Sequence, residues 1–297
     1  MAERTAAPAI PMSEMRHLRR RWRRYIGLSV PAAIGIVFVI AGAFADLISP
    51  EDPNFINVAV RLQPPVFDGG TWGHPLGTDE LGRDILSRLL HGAQVSLIVV
   101  AVVVPGAALI GTAIGMVSGW MGGATGHVLM RIVDIQLALP SVLFAVLLGS
   151  IFGPSLRNVI IILLIWTWSS YARLVRAEVL SLRERDFITA SRSLGASGFW
   201  IMRKHLLPNL INTIVIIMTL EVAIVILAEA SLSFLGVGVP AGTASWGRMI
   251  TDGRTFMNQA WWLIWLPGLS LLIVSLTGNL MGDWLRDALD PRLRNVR

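Results

Sequence analysis

From Gln94 to Ser118 the chain carries no Asp, Glu, Lys or Arg, and most positions are aliphatic, Ala or Gly. At 1.5 Å of rise per residue, about twenty such residues in a helix cross the roughly 30 Å hydrocarbon core of a bilayer. Comparable apolar segments occupy Leu28–Ile48, Val128–Ile151, Arg157–Tyr171, Leu210–Phe234 and Trp262–Met281. Composition agrees: 54% of residues are hydrophobic and 15% charged, where a soluble domain is nearer a quarter charged. The expected class is an all-α polytopic membrane protein with six transmembrane helices, packed helix against helix and against lipid.

The segments divide the chain into a basic N-terminal part (1–27), a first span (28–48), an external segment (49–93), a core with spans two to six (94–282) and a tail (283–297). Charge sets the expected orientation. The loop 172–208 holds Arg173, Arg176, Arg183, Arg185, Arg192, Arg203 and Lys204 against Glu178, Glu184 and Asp186. Acids outnumber bases in 49–93. By the positive-inside rule the loop is cytoplasmic, and six spans place both termini there too. The net charge of +6 then reflects topology rather than nucleic-acid binding. The arginines before Leu28, with Trp22 and Tyr25 among them, suit a headgroup anchor. A basic lead, an apolar run and Ala43-Phe44-Ala45 also resemble a signal peptide; the run is long for one and more spans follow, so an uncleaved first helix is expected.

Local patterns add detail. TDELGRDILSRLLHG reads as an amphipathic surface helix capped by Thr78, with Leu81, Ile85 and Leu89 on one face and Asp79–Arg83 and Asp84–Arg88 as i,i+4 pairs. Gly111 and Gly115 form a small-xxx-small pair in the second span. Arg131 and Asp134 are spaced for a local i,i+3 pair, and Pro140 is expected to kink the third span. Trp261, Trp262 and Trp265 read as an aromatic belt opening the last span. The fifth span carries Asn212, Glu221 and Glu229. Glu221 and Glu229 are eight residues apart and share a face. Two readings stay open for them: groups lining a translocation path, or neutral carboxyls hydrogen-bonded between helices.

Chemistry is limited by what is missing. There are no cysteines, hence no thiolate or Cys-ligated metal. His17, His74, His91, His127 and His205 are scattered, with no zinc or hydrolase motif. The only lysine, Lys204, follows Arg203, so there is no phosphate-binding P-loop. No catalytic residue, metal or cofactor is expected in this chain; if ATP drives it, the ATPase is a separate chain. A self-contained proton-coupled carrier using Glu221 and Glu229 is the alternative from another class.

The most structured polar stretch is Asp186–Asn209, DFITASRSLGASGFWIMRKHLLPN. It reads as helix, Gly-containing turn, helix, then a stop at Leu207-Pro208. Phe187, Ala190, Ser191 and Leu194 recur at helical spacing, and Gly195 permits positive φ. Alone this shows a structured loop, and a pair of membrane-surface helices would also fit. At these residues the chain resembles the permease subunits of binding-protein-dependent ABC importers. Their signature is Glu-Ala-Ala, three residues, Gly, nine residues, Ile, one residue, Leu-Pro. Thr189, Ala190, Ser191, Gly195, His205, Leu207 and Pro208 occupy those places, with Thr189, Ser191 and His205 departing from it. His74–Leu97, Met130–Ser141, Ile226–Val239 with Ser245–Ile250, and Asn279–Arg292 resemble the C-type permeases of the dipeptide, oligopeptide and nickel branch.

The resemblance implies a type I importer permease fold in a bacterial or archaeal cytoplasmic membrane. It implies a homologous B-type permease, two ATPase subunits that bind ATP and magnesium, and an extracytoplasmic solute-binding protein. The loop's short helix would be the coupling helix, with Asp186, Phe187, Ala190, Ser191, Leu194, Gly195, Ala196, Leu207 and Pro208 toward the ATPase. The substrate expected is a short peptide; nickel, opine or glutathione-like solutes are the alternatives within the family.

Overall fold

The computed structural model describes residues 29–289. The basic lead at 1–27 and the end of the tail lie outside these. Among the described residues the chain is helical, and the only β pairing is an isolated bridge between Thr78 and Asp84. The helices are α1 (Ser29–Ala43), α2 (Ala45–Ile48), α3 (Ile85–Met121), α4 (Gly123–Ala138), α5 (Ser141–Phe152), α6 (Leu156–Leu182), α7 (Asp186–Ser193), α8 (Gly198–Ile201), α9 (Leu207–Phe234), α10 (Trp246–Gly253) and α11 (Trp262–Leu289).

Among the described residues, four helical paths are long and apolar enough to cross a bilayer: α3, α6, Gly198–Phe234 and α11. A fifth is α4 with α5, bent by 88° at Leu139–Pro140, where a kink was expected. α1 is apolar but shorter, and the first part of the expected first span, before Ser29, lies outside the described residues. α6 continues past Tyr171 to Leu182, so 172–182 of the 172–208 loop are a helical extension of the span.

α3 and α6 form the spine. Gly111, Gly115 and Gly119 present a side-chain-free stripe to α6. A Cβ added to Gly111 would sit 2.4 Å from the Trp168 carbonyl oxygen, and one on Gly115 2.6 Å from that of Ala172. One on Gly119 would sit 2.8 Å from Val179 Cγ1. Lipid tails are as apolar as leucine, so close packing rather than hydrophobicity holds membrane helices together. Val99, Val103 and Val104 of α3 bury against Val159, Ile162 and Leu163 of α6, and Val225 and Leu232 of α9 close the cluster. α11 packs on α9, and α10 caps both.

The segment before α3 corrects the expected surface helix. Helix starts at Ile85, capped by Asp84, whose Oδ2 accepts from the Ser87 N–H and Oγ–H at 2.8 Å each. Residues 78–84 form a turn instead. Asp79 Oδ1 accepts from the N–H groups of Leu81 and Arg83 at 2.9 Å, and Gly82 adopts φ +76. A carboxylate that binds the backbone two and four residues on competes with helix, and positive φ ends it. Leu81 therefore shares no helix face with Ile85. Asp79 and Arg83 do pair at 2.6 Å, across the turn, while Arg88 points to Asp79 at 3.5 Å rather than to Asp84. Thr78 does not cap α3; its hydroxyl donates to the Val60 carbonyl and accepts from the Gln63 N–H at 2.9 Å.

Trp262 is also corrected. It is buried, not in an interfacial belt, and its Nε1–H donates to the Thr78 carbonyl at 3.1 Å. Trp246 donates likewise to Leu89 at 3.0 Å and Trp261 to Asp68 at 3.0 Å. Three indoles from the C-terminal half thus fasten the 49–93 segment.

Gly115→Leu should push α3 off α6 and cost about 1–3 kcal/mol, the usual penalty for overpacking. Gly268→Leu, where an added Cβ meets nothing within 4 Å, should leave the melting temperature of the purified protein nearly unchanged. Equal shifts in the two variants would contradict the spine.

Candidate functional site at the α7–α9 connection

α7 is a two-turn amphipathic helix with Asp186 in its first turn and Arg192 in its last, charges that match the helix dipole. Its one fully buried side chain is Ile188. Ile188 packs with Val175, Val179 and Leu182 of α6 and with Ile201, Leu206 and Leu210 further on. The helix ends in a Schellman motif. Gly195 N–H donates to Arg192 O at 2.9 Å and Ala196 N–H to Ser191 O at 3.1 Å, with Gly195 at φ +80. Ala196 then turns back against the Ile188 cluster.

α8 follows, capped by Ser197, and passes through one π-helical turn, Met202–Leu206, into α9. Leu207-Pro208 therefore does not stop a helix, contrary to expectation. Proline has no N–H and its ring crowds the carbonyl four residues back. The wider π turn takes up that mismatch, and Asn209 Nδ2–H donates to the His205 carbonyl at 2.6 Å. The path from Gly198 to Phe234 is one continuous helical body of 37 residues.

A second contact joins this unit to α3. The Arg192 guanidinium stacks over the Trp120 ring, 4.3 Å from its centroid. A Cβ on Gly198 would lie 2.6 Å from Trp120 Nε1. Arg183, just past α6, donates through Nη1 to the Gly119 carbonyl at 3.2 Å. The ends of α3, α6 and α9 are thus gathered around α7.

The outward face is apolar. Phe187 is 42% exposed, Leu194 88%, Phe199 71% and Trp200 46%. Asp186, Ala190, Gly195, Leu207 and Pro208 are exposed as well, and Ser191 and Ala196 are half-buried. Ile188, Trp120, Phe199 and Trp200 were not singled out from the sequence, Arg192 stood there only as a loop charge, and His205 only as a departure from the family signature. Trp120 lies more than sixty residues away in the chain, and no local pattern flags it. Ile188 is the apolar position of α7 that turns inward.

The expected path residues separate. Asn212 is exposed on α9, whereas Glu221 and Glu229 are buried within the chain. Glu229 Oε1 accepts from the Ser233 hydroxyl at 2.8 Å, and Ser233 Oγ accepts from the Val239 N–H at 3.3 Å, tying the following loop to α9. Asp134 accepts from Arg173 Nη2 of α6 at 2.8 Å, so the expected local partner Arg131 is replaced by a helix-to-helix one.

The ends of three membrane-length helices thus converge on a small, exposed amphipathic helix. Residues 111–295 match the family described as the binding-protein-dependent transport system inner membrane component, and the chain belongs to that family. It is 42% identical over 262 residues to the di/tripeptide transport system permease protein DppC of Pseudomonas aeruginosa, covering 88% of this chain and 86% of that one. It is 40% identical to the Escherichia coli dipeptide transport system permease protein DppC, covering 96% and 95%. Its fold resembles a chain of the MetNI methionine ABC transporter in an inward-facing conformation, with TM-score 0.57 at 20% identity over 68% of this chain and 96% of that one. The chain is a permease of an ABC importer and a multi-pass protein of the bacterial inner membrane. That placement decides against a self-contained carrier.

Replacing Ile188 with Ala should cost about 2–5 kcal/mol locally and free α7 to open. Limited trypsinolysis at Arg185 and Arg192 should then run faster than in the unaltered protein, because cleavage needs local unfolding. An unchanged rate would show that Ile188 is not the anchor.

Proposed function

We propose that this permease and a homologous B-type permease form the passage for short peptides delivered by an extracytoplasmic solute-binding protein. Two ATPase subunits bind ATP and magnesium, and one of them grips α7, which faces the cytoplasm with both termini. The observation that carries the reading is that α7 is anchored by Ile188 while Phe187, Ala190, Leu194 and Gly195 face outward. Peptide as the solute is supported by the names of the relatives. ATP hydrolysis belongs to the partner chains.

Asp186, Phe187, Ala190, Leu194 and Gly195 supply the ATPase contact. Ser191, Ala196, Leu207 and Pro208 shape the turn and the entry to α9. The exposed Asn212 is assigned to the passage. Glu221 and Glu229 are assigned to helix packing, since both are buried inside the chain. ATP-driven approach of the ATPases biases two discrete arrangements of the bundle.

Gly195→Arg tests the reading. Gly195 has open space around it but φ +80, so any side chain strains the turn. In proteoliposomes holding the full transporter, the variant should insert normally and lose at least tenfold in import. Normal assembly with normal import would refute the coupling role.

A further inference from the structure

We propose that His205 is a positioning residue that locks α7 to the entrance of α9, through a hydrogen bond to Ser191 and ring contacts to Phe187 and Trp200; this rests on the reading of α7 as the coupling element. Ser191 and His205 are two of the three positions where the loop departs from the family signature, which places Ala and Ile there. In the fold the two departures meet. Ser191 Oγ lies 3.2 Å from His205 Nε2 across fourteen residues of chain.

The donor can be assigned. Ser191 has one hydroxyl proton, and its Oγ lies 2.8 Å from the Phe187 carbonyl, four residues back in α7, to which it donates. Ser191 Oγ therefore accepts from His205, and in the neutral ring the proton sits on Nε2. The signature pair, alanine and isoleucine, has no polar atoms for such a bond.

The ring reaches every part of the connection. Phe187 of α7 lies tilted at 5.9 Å between centroids, and Trp200 of α8 stands edge-on at 5.0 Å. The His205 carbonyl is held by Asn209 at 2.6 Å, one residue past Pro208. One side chain in the π turn thus touches α7 at two positions and α8 at one, and its backbone is held by the first turn of α9. Apart from it, α7 is held by the Ile188 cluster and the Arg192–Trp120 stack. Those contacts attach α7 to α6 and α3 and, through Ile201, Leu206 and Leu210, to α8, the π turn and α9, but apolar packing is non-directional and leaves α7 free to rotate about Ile188 under a push. The His205 tie removes that rotation and delivers the push to α9.

The test uses the complete transporter, with both permeases, ATPases and binding protein in proteoliposomes. Import of a labelled dipeptide and ATP hydrolysis are measured together. Ser191→Ala removes the acceptor, and His205→Phe keeps a ring and removes the donor. Each should lower import per ATP by about three- to tenfold, the range for one hydrogen bond. The double variant should be no lower than the lower single, because both remove the same bond. Unchanged ratios, or a double that falls by the product of the singles, would overturn the tie. If His205→Phe fails to assemble, Ser191→Ala, a one-atom truncation, decides alone. Gly195→Arg is run alongside. If it too leaves import per ATP intact, the coupling reading itself fails; if it uncouples and the Ser191 and His205 variants do not, only the tie fails.

Discussion

The backbone-to-backbone approach of α3 and α6 is the contact on which the other arrangements depend. Three glycines, Gly111, Gly115 and Gly119, bring α3 against the carbonyls and side chains of Trp168, Ala172 and Val179. Such contact cannot be made with side chains in between, and it fixes the two helices in rotation as well as distance. With α3 and α6 held side by side, Trp120 and Leu182 both join the cluster around Ile188. That shelf is what α7 rests on. The same contact leaves Val99, Val103, Ile162 and Leu163 turned toward α9, which completes the bundle.

Displacement at one end can therefore reach the other. α7 is plugged by Ile188 into a cluster drawn from α6, the π turn and α9. α8, the π turn and α9 form one continuous path to Phe234. At its far end Glu229 and Ser233 clip the loop that leads to α10, and Trp246 of α10 binds the first turns of α3 at Leu89. A chain of packed elements of this kind has few soft joints. The π turn is the irregular one, and the tie at His205 sits on it. A tenfold change in import per ATP corresponds to about 1.4 kcal/mol, the scale of a single well-placed contact.

Much of this was legible in the chain. The apolar runs announced helices because a bilayer demands length and apolarity, a constraint readable without partners. The loop from Asp186 to Gly195 was readable because amphipathic spacing and a left-handed glycine are local signals. The misreadings came where long-range or competing bonds decide. Thr78 looked like a helix cap, but Asp79 claims the backbone of its own turn and Asp84 becomes the cap. Leu207-Pro208 looked like a stop, but a π turn and Asn209 accommodate the proline. Trp262 looked interfacial and is buried, because its indole finds the Thr78 carbonyl 184 residues away. Trp120, in the same way, enters the site only through the folding of α3 onto α6.

The central claim is that α7 moves with the bundle and not upon it. The chain has no cysteine, so spin labels can be introduced in pairs without prior substitution. Labels at Leu194, at the exposed end of α7, and at Leu180 of α6 report motion within the chain, and double electron–electron resonance gives the distance between them. In the assembled importer that distance should be the same without nucleotide and with ATP trapped, while the distance from Leu194 to a label on the partner permease changes. A shift of several ångströms between Leu194 and Leu180 on ATP binding would contradict the account.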